Sequence, residues 1–147
     1  MVGSIVLSGV SKGFGSLNVL EGVSLTLTPG TASAVVGGNG SGKSTLARLV
    51  TGLLLPDAGG VVSSGRIGYL PGEERGFFLT LSGRENLRFH AMLQGLEEAA
   101  FLSQLAALEP VLELSALLSK EVGMLSSGQR QRLALARTLL HDPGILV

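Results

Sequence analysis

The chain has 147 residues, room for one domain with a real core, and its eleven basic and eleven acidic side chains leave no net charge. That balance gives no compositional support to a general nucleic-acid or anionic-membrane surface. Cysteine is absent, which excludes disulfides and thiolate metal sites and leaves the compartment open.

The N-terminal run Met1 to Leu7 lacks a basic leader and is soon broken by Gly9, Ser11 and Lys12, so no signal peptide is expected. Ser4 to Val10 reads as a first strand. Val23 to Thr28 alternates apolar with polar residues, as a half-buried strand stopped by Pro29-Gly30. Ser33 to Val36 reads as a strand feeding a glycine-rich loop, after which Leu46 to Val50 predicts a helix that continues until Gly52 and Pro56. Arg66 to Leu70 is another short strand, ended by Pro71-Gly72. From Ser82 the character changes to helix. Ser82 with Glu85 makes a capping box, opening a segment through Leu87, Ala91 and Gln94 that ends near Gly95. Phe101, Leu105 and Leu108 continue at helical spacing, and Pro110 is placed to open a further turn carrying Val111, Leu112 and Leu114. The pattern is α/β, a helical block between two β-rich pieces, without internal repeats. No apolar run approaches the roughly 20 residues of a membrane-crossing helix.

The loop after Ala34-Val35-Val36 is Gly37-Gly38-Asn39-Gly40-Ser41-Gly42-Lys43-Ser44-Thr45, which reads as G-x-x-x-x-G-K-[ST] between a strand and a helix. A polyphosphate must be held without bulky side chains in the way, so backbone N–H groups have to turn inward. Gly37, Gly38, Gly40 and Gly42 are expected to supply positions where positive φ costs little. The N–H groups of such a nest, with the positive end of the following helix, favour an anion. Lys43 adds a mobile charge aimed at the β- and γ-phosphates, and Ser44 offers a hydroxyl to a Mg²⁺ ion bridging the same oxygens.

A second segment, Leu125-Ser126-Ser127-Gly128-Gln129, leads into Arg130-Gln131-Arg132-Leu133-Ala134-Leu135-Ala136-Arg137. Read by itself it is an N-capped amphipathic helix with Ser126 or Ser127 as cap. Leu133, Ala136 and Leu140 share one face and Arg130 and Arg137 another. Taken with the phosphate loop, it resembles the signature motif and following helix of the ATP-binding-cassette (ABC) family, the ATPase subunits of ABC transporters, and the similarity runs over essentially the whole chain. The family pattern is Leu-Ser-Gly-Gly-Gln, so Ser127 departs from it. The resemblance implies a P-loop ABC cassette: one domain over residues 1–147, with a β-rich N-terminal part, a parallel-sheet core and a helical subdomain over about 82–140. It implies ATP and Mg²⁺ as ligands, and a head-to-tail dimer in which the signature segment of one subunit completes the ATP site of the other. Ser126 would donate a hydroxyl, and Gly128 would let backbone approach a phosphate at the positive end of the helix.

Other positions follow from the same resemblance. Phe14 stands where the family carries an aromatic ring stacking on adenine, and Val19 flanks the base. Gly72 stands where most relatives place a glutamine that contacts Mg²⁺ and the attacking water; Glu73 or Glu74 is then either a substitute oxygen donor or a surface glutamate. Phe77 and Phe78 lie in the region that meets a membrane subunit, where core packing explains them equally well. His90 and His141 read as helix-surface residues. The run ending at Val147 corresponds to the strand before the family's Asp-Glu pair. The catalytic carboxylates and the γ-phosphate-sensing histidine are thus expected beyond Val147, and the chain reads as an N-terminal fragment that does not itself turn over ATP. The mean hydropathy of +0.45 agrees with apolar strands lacking neighbours. For the complete protein the implied function is ATP hydrolysis powering transport, with export favoured by Glu73-Glu74-Arg75 and the Phe77-Phe78 region, in the cytoplasm on the inner face of the membrane through a partner. Two alternatives stand beside it: a soluble non-transport ABC-type ATPase, and a non-catalytic nucleotide-binding remnant, which Gly72 and Ser127 favour.

Overall fold

The computed structural model describes residues 3–71 and 76–147. The chain divides into two compact units, Met1–Ile67 with Gly144–Val147, and Gly68–Pro143.

The first unit is built on a three-stranded antiparallel sheet in the order β2-β1-β3, from β1 (Ser4–Phe14), β2 (Leu17–Leu27) and β3 (Ala58–Ser64). Strand period sends Ile5 and Leu7 to the buried face. The register then shifts, so that Val10 rather than Gly9 returns to it. Gly59 packs against that irregularity. Its φ is 78°, and a Cβ would stand 2.3 Å from the Gly9 carbonyl oxygen, so only glycine fits. Between β2 and β3 runs α1 (Lys43–Val50), whose Leu49 and Val50 are buried and whose Leu46 packs beside them on Ile5, Leu7 and Val10. The helix stops where expected, at Thr51 and a left-handed Gly52.

Both early strands run longer than the local alternation predicts, and β3 was not legible at all. Ala58-Gly59-Gly60 looks like loop, and only pairing with β1 makes it strand. The predicted strand over Ser33 to Val36 does not form. The chain is irregular there, with Val35 53% and Val36 87% exposed. A strand needs a neighbouring edge for its N–H and C=O groups, and among the described residues none pairs with this run. The strand predicted over Arg66 to Leu70 is likewise only β4 (Ile67–Gly68), which pairs with β5 (Ile145–Leu146).

The second unit is helical: α2 (Gly83–Leu93), α3 (Glu98–Val111), α4 (Ser115–Leu118), a 3-10 turn at Val122–Met124, and α5 (Ser127–Leu139). Ser82 caps α2 as its sequence predicts. Its Oγ accepts from the Glu85 N–H at 3.3 Å and the Glu85 carboxylate accepts from the Ser82 N–H at 2.8 Å. Leu87, Phe101, Leu105, Leu114, Leu117 and Leu133 are among the fully buried side chains of one apolar cluster. Pro110 does not open a new helix. It sits in the last turn of α3, where it forgoes one helix hydrogen bond and its ring crowds the preceding turn, and the chain leaves through Glu113 at φ 52°.

Candidate functional site

In the first unit the glycine-rich loop leads directly into α1. Gly42 is the N-cap at φ 86°, and Gly40 also has positive φ, 83°. Gly37 and Gly38 do not, which corrects the expectation that all four glycines serve that purpose. At Gly37 the requirement is space: a Cβ there would lie 2.6 Å from the Ser41 Oγ, while at Gly38 it would meet nothing within 4 Å. The loop closes through the Ser41 N–H donating to the Gly38 carbonyl at 3.3 Å and the Leu46 N–H to the Gly42 carbonyl at 2.8 Å. Lys43 folds back over it, its Nζ donating to the carbonyls of Gly37 at 2.8 Å and Gly38 at 2.7 Å. No acidic residue occupies the first turn of α1, so nothing in that turn neutralises its positive end.

Phe14 and Val19, from either side of the β1–β2 turn, line the same cleft of about 360 Å³ as residues Asn39 to Thr45. The elements thus bring together an aromatic ring, the backbone of the glycine-rich loop, one ammonium and the exposed hydroxyl of Ser44. Among the described residues no group of three His, Cys, Asp or Glu could hold a metal ion. A hard cation in this cleft fits as the partner of a bound polyphosphate, with Ser44 as one oxygen ligand. Gly72, Glu73 and Glu74 lie outside the described residues.

In the second unit Leu125 is buried in the apolar cluster and anchors the segment that follows it. Ser126, not Ser127, is the N-cap of α5. Its Oγ accepts from the Gln129 N–H at 3.3 Å, and the Gln129 Oε1 accepts from the Ser126 N–H at 2.9 Å. The Ser126 hydroxyl keeps its own proton to donate. Gln129 is engaged in this reciprocal cap. Ser126, Ser127 and Gly128 are exposed, and a Cβ at Gly128 would meet nothing within 4 Å, so packing inside the chain does not ask for glycine there. Leu133, Ala136 and Leu140 are buried on one face as expected.

The two adjacent phenylalanines separate. Phe77 packs against the apolar cluster with the Arg137 guanidinium 4.5 Å from its ring centroid, the core-packing arrangement of the two left open for it. Phe78 is 48% exposed and meets Phe89 edge to face at 4.9 Å, beside exposed Leu79. What holds this loop is Asn86, a residue that sequence reasoning passed over. It is fully buried, its Oδ1 accepts from the Phe78 N–H at 2.8 Å, and its Nδ2 donates to the carbonyls of Phe78, Leu81 and Ser82. A short polar side chain mid-helix gives no local signal of such a clamp.

His90 is not a plain surface residue either. It is partly buried between Phe77 and Phe89, and its Nε2–H donates to the Gly76 carbonyl at 2.9 Å, with Arg137 Nη1 3.5 Å away. Burial holds its pKa below the ordinary 6.5, outweighing the Gly76 carbonyl, and the Arg137 charge lowers it further. Between the folded and ordinary values the unfolded chain binds more protons, so stability rises with pH across that window. The contribution is complete above about pH 6.5 and is lost as pH falls toward the folded value. Urea midpoints at pH 7.5 and 5.5 should therefore differ more in the natural chain than in His90→Gln; an equal difference in both would contradict this assignment.

The sequence matches the family model described as "ABC transporter" over residues 20–147. It is 33% identical to ABC transporter G family member 20 of Dictyostelium discoideum, over 98% of this chain and 21% of that protein. It is 37% identical to the sulfate/thiosulfate import ATP-binding protein CysA of Thermosynechococcus vestitus, over 97% of this chain and 46% of that protein. The chain thus spans less than half the length of either. Among solved structures, one titled as the ATP binding subunit of an ABC transporter superposes with a TM-score of 0.83 at 28% identity, over 95% of this chain and 62% of that one. Besides CysA, SsuB 1 of Burkholderia cenocepacia, 37% identical over 98% of this chain and 45% of that protein, is named for import, of aliphatic sulfonates, and the expectation of export finds no support in these names.

Proposed function

The chain belongs to the ABC transporter family, and on that premise we propose that its first unit binds ATP with Mg²⁺ and that the complete protein uses ATP hydrolysis to drive transport. The observation that carries this reading is the single cleft shared by Phe14, Val19 and residues 39 to 45. The base stacks on Phe14 beside Val19. The phosphates lie against the N–H groups of the loop, and Lys43 exchanges the Gly37 and Gly38 carbonyls for β- and γ-phosphate oxygens. Ser44 would hold Mg²⁺ from the protein side, and the ion would supply neutralisation of the phosphate charge. Residues 1–147 act together as one ATP-binding domain.

The exposed Ser126-Ser127-Gly128 edge of α5 serves the nucleotide of a second copy. The open space over Gly128 and the unneutralised first turn of the helix support that use. Phe78, with Leu79 and Phe89, supplies an apolar surface for a membrane subunit, and Phe77 supports it from beneath. No helix among the described residues is long and apolar enough to cross a membrane. Attachment at the inner membrane face then comes through that partner. The relatives named for import set the direction to be tested first.

Calorimetric titration of the chain with ATP tests the nucleotide site. Saturable binding strengthened by Mg²⁺ is expected, and Ser44→Ala should remove most of that strengthening while leaving metal-free ATP binding as it was. Binding indifferent to both Mg²⁺ and Ser44 would remove the assignment of the metal ligand.

A further inference from the structure

The turn that carries Phe14 is tied down by a residue far away in sequence. Asp57 lies between α1 and β3, and both of its carboxylate oxygens are engaged on β1: Oδ1 with the Lys12 Nζ at 2.6 Å and Oδ2 with the Gly13 N–H at 2.8 Å. The Asp57 N–H in turn donates to the Ser11 carbonyl at 2.9 Å. Three consecutive residues, Ser11 to Gly13, are thereby fixed immediately before Phe14. Lys12 is not a freely waving surface cation. Its side chain is only 15% exposed, and its Nζ stands over the Phe14 ring, 5.7 Å from the centroid. The Lys12 and Gly13 hydrogen bonds hold the Asp57 carboxyl below its ordinary 3.8, so it is ionised throughout the neutral range.

An exposed ion pair of this kind contributes little to global stability. Its consequence here is positional. Phe14 is 51% exposed and lies on the rim of the cleft, paired with Leu17 across a two-residue turn, so little packing fixes its ring. The clamp restrains the backbone one residue before it, and the ammonium covers one face of the ring, leaving the other to a ligand. A ring already held loses little freedom when a base stacks on it.

Resting on the reading of this cleft as a nucleotide site, we propose that Asp57 and Lys12 are positioning residues for the base. Their ion pair and the Asp57–Gly13 hydrogen bond present the Phe14 ring for stacking on the adenine of ATP, and neither touches the nucleotide's phosphates.

The test compares two ligands on the same 147-residue chain: Mg·ATP, and magnesium with inorganic tripolyphosphate, which has the phosphates but no base. Asp57→Ala should weaken Mg·ATP about tenfold, within the range that base–aromatic stacking supplies. Its tripolyphosphate affinity should stay within about twofold of the natural chain, which also shows that the variant is folded. In the Phe14→Ala background the Asp57→Ala change should cost nothing more, because its effect runs through the ring. Equal weakening of both ligands, additive losses in the double variant, or no loss of ATP affinity would each overturn the proposal. A natural chain that binds tripolyphosphate as tightly as ATP leaves the phosphate loop standing and overturns the base platform alone. A natural chain that binds neither overturns the phosphate-loop reading and the clamp with it.

Discussion

Asn86→Ala is expected to destabilise the helical unit by about 2 kcal/mol, lowering its thermal midpoint by roughly 10 °C, and to loosen the Phe78 loop. The amide makes four hydrogen bonds, one accepted from the Phe78 N–H and three donated to the carbonyls of Phe78, Leu81 and Ser82. Alanine removes every partner at once in a place where Asn86 itself has no exposed surface. The carbonyls of Phe78, Leu81 and Ser82 keep the N–H groups of Leu81, Val122 and Asn86 as donors, so the group left without its partner is the Phe78 N–H, and its loss together with the space left by the amide loosens the segment. Asn86→Asp separates the two roles. It keeps the acceptor for the Phe78 N–H but faces three carbonyl oxygens with a carboxylate, and should be at least as damaging as alanine. The measurements are a thermal or urea melt and limited proteolysis between Gly76 and Ser82. A shift below about 0.5 kcal/mol, the size of an ordinary surface change, would show that the clamp does not hold the loop.

What could be read in the sequence follows the range of the interaction. The capping box of Ser82 with Glu85 joins residues three apart, and the chain carries in those few positions everything that fixes it; at α5 a serine cap was legible, and the structure chooses Ser126 over Ser127 through its bond with Gln129. The loop from Gly37 to Thr45 is legible for the same reason, as are the end of α1 at Gly52 and that of α2 before Gly95. Where the partner is distant the sequence is silent. Lys12 and Asp57 meet across 45 positions, and Gly59 becomes strand only because it packs on Gly9. Ser33 to Val36 misleads in the opposite sense. β-branched composition is a preference for a pleated, half-buried surface, and without a neighbour it does not make a strand. Pro110 misleads because proline is favoured at the start of a helix, whereas here it stands in the last turn of α3, where it forgoes a helix hydrogen bond that only the tertiary context offsets. Phe77 and Phe78 are adjacent and chemically identical, so no local rule distinguishes the ring that meets Arg137 from the one left half exposed.

Lys43→Ala should reduce Mg·ATP affinity about 100-fold or more while leaving the fold intact. Among the described residues that line the cleft the ammonium is the one full positive charge, and it donates to the carbonyls of Gly37 and Gly38 on the exposed loop. Those carbonyls have water as a ready alternative, so losing Lys43 should change the nucleotide-free stability by less than about 0.5 kcal/mol. A triphosphate has no comparable alternative once it lies against the loop. Two charge-assisted hydrogen bonds are each worth about 1.5–3 kcal/mol, and their loss accounts for the drop in affinity. Lys43→Arg separates charge from shape, since a broad, planar guanidinium cannot sit between the Gly37 and Gly38 carbonyls as a compact ammonium does; it should recover only a minor part of the binding. Thermal shift reads both effects in one experiment. At a hundred times its dissociation constant a ligand stabilises the folded state by about 2.7 kcal/mol, so the natural chain should melt several degrees higher with Mg·ATP. Lys43→Ala should melt at one temperature with or without it. A nucleotide shift that survives in Lys43→Ala would mean that the loop from Gly37 to Thr45 does not hold the phosphates, and the assignment of the cleft would fall with it.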